Sequence, residues 1–171
     1  MAVSTDGFRS VLRRWASGVS IVTTRRTDRG GVLGITVSSF CSLSLKPPLV
    51  LVCIDHEARS HRSIAARGCF AVNLLRDEQS GLSERAAGRR GVRGAWLAGV
   101  ACRAGRTGAP VLEDCLAWLD CSLVDRHEGG DHTIYVGRVE AAGGAAGRPL
   151  LWYESDYHAL GARAGRRRAG R

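Results

Sequence analysis

The chain has 171 residues, 44% of them hydrophobic, and 25 basic against 16 acidic side chains give a formal net charge of +9. That length matches one domain able to bury a core without disulfides, and the longest apolar run, Leu49 to Ile54, falls far short of the roughly 20 residues a membrane-spanning helix requires. The charge does not mark a nucleic-acid binder: the last eleven residues, GARAGRRRAGR, hold five arginines and no acid, and without them the balance is 20 basic against 16 acidic, or +4.

Ser4, Thr5 or Asp6 is placed to cap a first helix whose apolar stripe is Phe8, Val11, Leu12 and Trp15, ending at Gly18. Val19 to Thr24 is β-branched except at Ser20 and reads as a strand, followed by a turn over Thr27 to Gly31. From Val32 to Ser38 the residues alternate, with Leu33, Ile35 and Val37 on one face and Gly34, Thr36 and Ser38 on the other. A second alternation covers Cys41 to Leu45. After Pro47 and Pro48 the run Leu49 to Ile54 reads as a strand covered on both faces, with Asp55 at its end. If these strands pair as a hairpin-like unit, Thr36, Ser38 and Ser39 lie beside Asp55, and hydroxyls and free N–H groups at strand ends suit a phosphate or a heterocycle.

Residues 56 to 68 predict a loop and a short helix capped by Ser60 or Ser63 and stopped by Gly68. Arg59, Ser60, His61 and Arg62 then fall at a helix N-terminus, where the macrodipole favours an anion. Cys69 to Leu75 is a strand with an unusual polar residue, Asn73, inside it; Asp77 to Ala87 predicts a polar helix. Residues 88 to 109 have weak periodicity and read as a loop. Cys115 to Val124 predicts a long strand, turned at His127 to Gly130 into a returning strand, Asp131 to Ala141. Leu150 to Tyr153 reads as the last strand, and the composition of residues 161–171 predicts a disordered Arg-rich tail. The elements describe a mostly β chain: an antiparallel barrel with a few peripheral short helices.

No GxGxxG, P-loop, HExxH or GxSxG pattern occurs, the histidines show no metal spacing, and no metal is expected. The N-terminus lacks a signal-like apolar region, so the six cysteines, with no CxxC pair, point to a reducing cytoplasm. A polar cradle without a strong acid, base or nucleophile points to a bound cofactor that carries the chemistry.

Gly18–Thr24 (GVSIVTT), Gly34–Phe40 (GITVSSF), Ser42–Pro48 (SLSLKPP), Phe70–Leu75 (FAVNLL), Gly130–His132 (GDH) and Gly137–Val139 (GRV), in this order, closely resemble the flavin reductases of the FMN-binding split barrel fold. The resemblance covers Phe8 to Leu160, about nine-tenths of the chain. It implies an antiparallel split β-barrel over residues 1–160 and a cytoplasmic homodimer that moves hydride from NADH or NADPH to FMN or FAD. The reduced flavin would supply a flavin-dependent monooxygenase. It implies that Thr36, Val37, Ser38 and Ser39 hold the flavin and that Cys53, Ile54 and Asp55 line the isoalloxazine. Arg59 and Ser60 would stand at the phosphate end, and His132 beside the nicotinamide. Relatives usually carry a phenylalanine where this chain has Ala86, and an aromatic expected before Trp96 is also missing. The rival readings are a non-catalytic flavin carrier or sensor on the same barrel and, more weakly, an Arg-tailed nucleic-acid binder.

Overall fold

In a computed structural model of the chain, the described residues are 2–28, 30–88 and 96–162. The Arg-rich tail beyond residue 162 lies outside them. Helix α1 (Thr5–Leu12) is followed by β1 (Ser17–Gly18), β2 (Ser20–Arg25), β3 (Val32–Val37), β4 (Cys41–Leu45) and β5 (Pro48–Asp55). Then come α2 (Arg59–Arg67), β6 (Cys69–Leu74), a 3-10 turn (Asp77–Gln79), α3 (Ser80–Ala86), β7 (Cys102–Ala104) and β8 (Pro110–Leu112). Two long strands, β9 (Ala117–Gly129) and β10 (His132–Gly144), and a final hairpin, β11 (Leu150–Tyr153) and β12 (Asp156–Ala159), complete the chain.

Seven strands form one antiparallel sheet in the order β3-β2-β6-β9-β10-β5-β4. Its two edges, β3 and β4, are consecutive in the chain and joined only by Ser38, Ser39 and Phe40. So short a link brings the edges to face each other, and the sheet curls into a barrel without a ladder between β3 and β4: it is split. Irregularities in β9–β10 pairing at Val136/Gly137 and Val139/Ala141 supply part of the curl. At Gly137 a Cβ would lie 2.5 Å from Phe70 Cζ, so the missing side chain lets this phenylalanine cross the core. Phe70, Val22, Val52, Ile54 and Tyr135 fill that core.

Asn73 is fully buried because its amide is fully used: Nδ2 donates to Ile21 O (2.9 Å) and to Thr23 Oγ1 (3.0 Å), and Oδ1 accepts from Leu112 N (2.8 Å). It thereby seats β8 on the barrel.

Several expectations are corrected. Helix α1 stops at Leu12, because Ser17 and Gly18 pair with β11 instead of continuing the helix. Its stripe faces outward: Phe8, Val11 and Leu12 are exposed, and Trp15 beyond it is 74% exposed. Strand β5 is not covered on both faces but alternates, with Val50, Val52 and Ile54 buried and Leu51, Cys53 and Asp55 half-buried. It pairs with β4 and β10, not with β3. The residue capping α2 is Ala58, with no side-chain bond, rather than Ser60 or Ser63, although Gly68 ends the helix at φ 65° as expected. The helix expected over Asp77 to Ala87 is divided into a 3-10 turn and α3, and the region taken as loop carries β7. His127 and Glu128 belong to β9, so the turn into β10 falls at Gly130 and Asp131. Strand β12 lies beyond the last strand the sequence predicts.

Candidate functional site

The split in the barrel gathers the end of β3, the three-residue link and the end of β5. Ladder pairing between β4 and β5 reaches only Cys41 opposite Leu51, so Cys53 lies past the end of its neighbouring strand. Ser39 takes the place of that missing strand: its Oγ donates to Cys53 O (2.9 Å) and accepts from Cys53 N (3.2 Å). The Ser39 hydroxyl is thus committed to the protein and acts on any ligand through Cys53. Burial pushes the Cys53 thiol up from its ordinary pKa, so it is a neutral, weakly polar group. The Ile54 side chain is fully buried in the core, whereas Cys53 and Asp55, on the opposite face of β5, are half-buried. Val37 is likewise largely core, whereas Ser38 is exposed.

Thr36, Val37 and Ser38 line a pocket of about 170 Å³ with Ser83, Trp152 and Tyr157. Thr36 Oγ1 donates to Ser83 O (2.6 Å) and Tyr157 Oη to Ser83 Oγ (2.9 Å), which ties β3, α3 and the last hairpin together. The Trp152 and Tyr157 rings meet edge to face at 5.0 Å. Sequence reasoning misses Ser83, Trp152 and Tyr157: Tyr157 sits on β12, which the sequence does not predict, and only closure of the fold brings all three to Thr36.

A groove of about 580 Å³ adjoins this pocket at Ala87 and is lined by Gly34, Arg59, Ser60, Arg85, Ala86 and Trp96, among others. Ser60 is 3% exposed, yet its Oγ has no hydrogen-bond partner, and Arg85 Nε is buried in the same condition. Ala58 offers no side-chain cap to the start of α2, whose first residues, Arg59 and Ser60, line this groove. Two orphaned donors, the Arg59 guanidinium and an uncapped helix N-terminus together favour an anion with several acceptor oxygens. Trp96 packs against Gly34, where a Cβ would come to 2.3 Å from its ring, and it shares an apolar cluster with Ala86. A second groove, about 880 Å³, shares Arg26, Glu57 and Arg59 with the first and continues past His56 and Arg62.

His132 opens β10 at this same end of β5, opposite Asp55. Its side chain is 41% exposed, and Nδ1 contacts Asp131 Oδ1 at 2.7 Å. This bond holds the Asp131 carboxyl below its usual range and directs Nε2 away from the carboxylate. Of the residues expected from sequence, Thr36, Val37 and Ser38 therefore share one pocket, and Arg59 and Ser60 share a groove. Cys53 and Asp55 share one face of β5, with Ser39 bonded to the Cys53 backbone and His132 opposite Asp55. Among the described residues no group of His, Cys, Asp and Glu side chains suits a metal ion.

The model of the flavin reductase like domain matches residues 12–161. A reductase subunit of a flavin-dependent monooxygenase from Mycobacterium tuberculosis, HsaB, is 38% identical over 153 residues, covering 88% of this chain and 79% of that protein. An NADH-dependent flavin reductase of a Rhodococcus species is 39% identical over 157 residues, covering 89% and 84%. Among solved structures, a Streptomyces globisporus NADH:FAD oxidoreductase in complex with NAD and FAD fragments superposes with a TM-score of 0.85 at 29% identity, covering 96% of this chain and 99% of that one. The barrel, its split and the polar strand ends agree with these likenesses, and the chain belongs to the flavin reductase family.

Proposed function

We propose that the protein is the reductase component of a two-component monooxygenase, an oxidoreductase that uses NADH or NADPH to reduce FMN or FAD and releases the product to its partner. The observation that carries the reading is the groove where Ser60 Oγ and Arg85 Nε are buried without partners beside the uncapped start of α2. Buried polar atoms are ordinarily satisfied, and a flavin phosphate offers the acceptors these donors lack.

Arg59, Ser60 and Arg85 would hold the phosphate, and Thr36, Ser38, Tyr157 and Cys53 would border the ring and its chain. Bound flavin supplies the hydride-accepting chemistry that no side chain of the protein offers. The protein would place the two reactants: His132, with Nδ1 held by Asp131, would offer Nε2 to the nicotinamide carboxamide, and the walls of the split would limit water at the reacting faces. Two exposed apolar surfaces, Phe8, Val11 and Trp15 at the N-terminus and Leu43 and Leu45 on edge strand β4, suit a homodimer. All six cysteines are unpaired, which fits a reducing cytoplasm.

Steady-state oxidation of NADH and NADPH with FMN, FAD and riboflavin tests the reading. Turnover should require flavin, and riboflavin, lacking the phosphate, should have the highest KM. Tight flavin binding without turnover would instead identify a carrier, and equal KM values for riboflavin and FMN would remove the groove from the argument. Sedimentation at micromolar concentration separates dimer from monomer.

A further inference from the structure

We infer that His56, His61 and Thr133 form a clamp that fixes the turn carrying His132, which makes the two histidines positioning residues for the nicotinamide side of the reaction. The inference rests on the reading of His132 given above.

Thr133 follows His132 on β10 but points the other way, and it is 1% exposed. Its Oγ1 is the meeting point of two imidazoles: His61 Nε2 lies 2.9 Å away and His56 Nε2 3.2 Å away. Glu128, on the opposing strand, has both carboxylate oxygens within 3.3 to 3.4 Å of the same hydroxyl, and its Oε2 is 3.1 Å from His56 Nε2. A hydroxyl donates once and accepts twice. One arrangement satisfies every contact without an added proton: Thr133 donates to Glu128, and both neutral rings donate from Nε2, His61 to Thr133 and His56 between Thr133 and Glu128. The rings are held in turn. Tyr135 Oη donates to His61 O (3.0 Å) and its ring meets His61 edge to face at 5.7 Å, while the two imidazoles meet at 5.2 Å.

These groups span three elements. His56 follows β5, His61 is in the first turns of α2, and Glu128 and Thr133 flank the β9–β10 turn. The backbone adds one more tie, from His56 N to Asp131 O (3.1 Å), and Asp131 is the residue that holds His132 Nδ1. The turn is therefore gripped on both sides of His132, by His56 at Asp131 and by both imidazoles at Thr133. A β-turn at the tip of a long hairpin otherwise has only its ladder to locate it, and a displacement near 1 Å in a reacting site can cost about a hundredfold in rate.

The test compares Thr133→Val, which keeps the shape and removes the hydroxyl, with Thr133→Ser, which restores it. Thr133→Val should raise KM for NADH at least fivefold while flavin affinity stays within twofold, and Thr133→Ser should match the parent. In the flavin-free protein, hydrogen exchange of the His56 and His132 amides should quicken at least tenfold in Thr133→Val and not in Thr133→Ser. Combined with His132→Ala, Thr133→Val should add nothing further to KM. If His132→Ala raises KM but Thr133→Val leaves both KM and amide exchange at parental values, the clamp is wrong and the reading of His132 stands. If His132→Ala itself leaves NADH kinetics unchanged, the reading of His132 is wrong, and faster exchange in Thr133→Val would then report a clamp without that catalytic purpose, overturning the inference as stated.

Discussion

Replacing Ser39 by alanine tests whether the barrel's split is held by a side chain rather than by a strand. The hydroxyl makes two bonds to one residue, 2.9 Å to Cys53 O and 3.2 Å from Cys53 N. Beyond Leu51 no residue of β4 can replace it, because the ladder ends there. Each bond contributes about 1 kcal/mol net, and the partly buried Cys53 groups left behind regain only part of that from water, so the loss is about 1–3 kcal/mol. For a domain of this size roughly 2–4 °C of Tm accompany each kcal/mol, so thermal unfolding of the flavin-free Ser39→Ala protein should fall by about 2–12 °C. Flavin affinity, measured by fluorescence quenching, should weaken only as far as the end of β5 becomes less fixed, and Ser39→Thr should recover both. A large loss of flavin affinity with an unchanged Tm would show that the hydroxyl meets the ligand directly. That outcome would refute the reasoning from the missing ladder.

Three further perturbations probe separate parts of the site. Arg85→Gln should weaken FMN and FAD binding about tenfold or more, the scale of a charge-assisted hydrogen bond, and leave riboflavin binding unchanged; equal losses for all three flavins would point to a packing role. Gly34→Ala places a Cβ within 2.3 Å of the Trp96 ring and should cost about 1–3 kcal/mol in urea unfolding, with a shift in tryptophan emission as the ring moves; an unchanged midpoint would mean the Trp96 segment yields freely. Burial, and then the neighbouring His56, lower the His61 pKa below its ordinary 6.5, so the unfolded chain takes that proton first and stability should decline as pH falls below about 6.5. His61→Gln should show a shallower decline in Tm between pH 7.5 and 5.5, and an identical slope would remove His61 as a cause.

The parts of the fold legible in the sequence are those governed by nearest neighbours. Val32 to Val37 alternates because successive side chains of a strand point to opposite faces, and Gly68 ends α2 because a left-handed residue is needed there. What was hidden depends on partners far along the chain. The stripe through Trp15 fits a longer helix until Ser17 and Gly18 pair with β11, over 130 residues later. A three-residue strand such as β7 carries too few alternations to show a period. Ala58 caps α2 by having nothing to offer, and no propensity marks an absence. Ser38 and Ser39 read alike as hydroxyls in a cradle, but one is exposed and the other bonded to Cys53, a difference that appears only once the sheet has curled.

The same curl accounts for where the candidate site lies. A closed barrel would pair every strand and leave its ends no unusual donors, whereas this sheet meets itself across a three-residue link that provides one hydroxyl bridge and no ladder. Polar groups near the split are then tied to elements outside the sheet: the Thr36 hydroxyl donates to the carbonyl of Ser83 in α3, and the Tyr157 hydroxyl donates to Ser83 Oγ. Where these ties stop, at Ser60 and Arg85, two buried donors remain without partners in a groove wide enough for a phosphate-bearing ligand. Filling those positions with apolar groups would relieve the unsatisfied burial and at the same time remove the anion contacts. On the proposed function, these retained polar atoms would meet a flavin phosphate, the partner that their burial lacks.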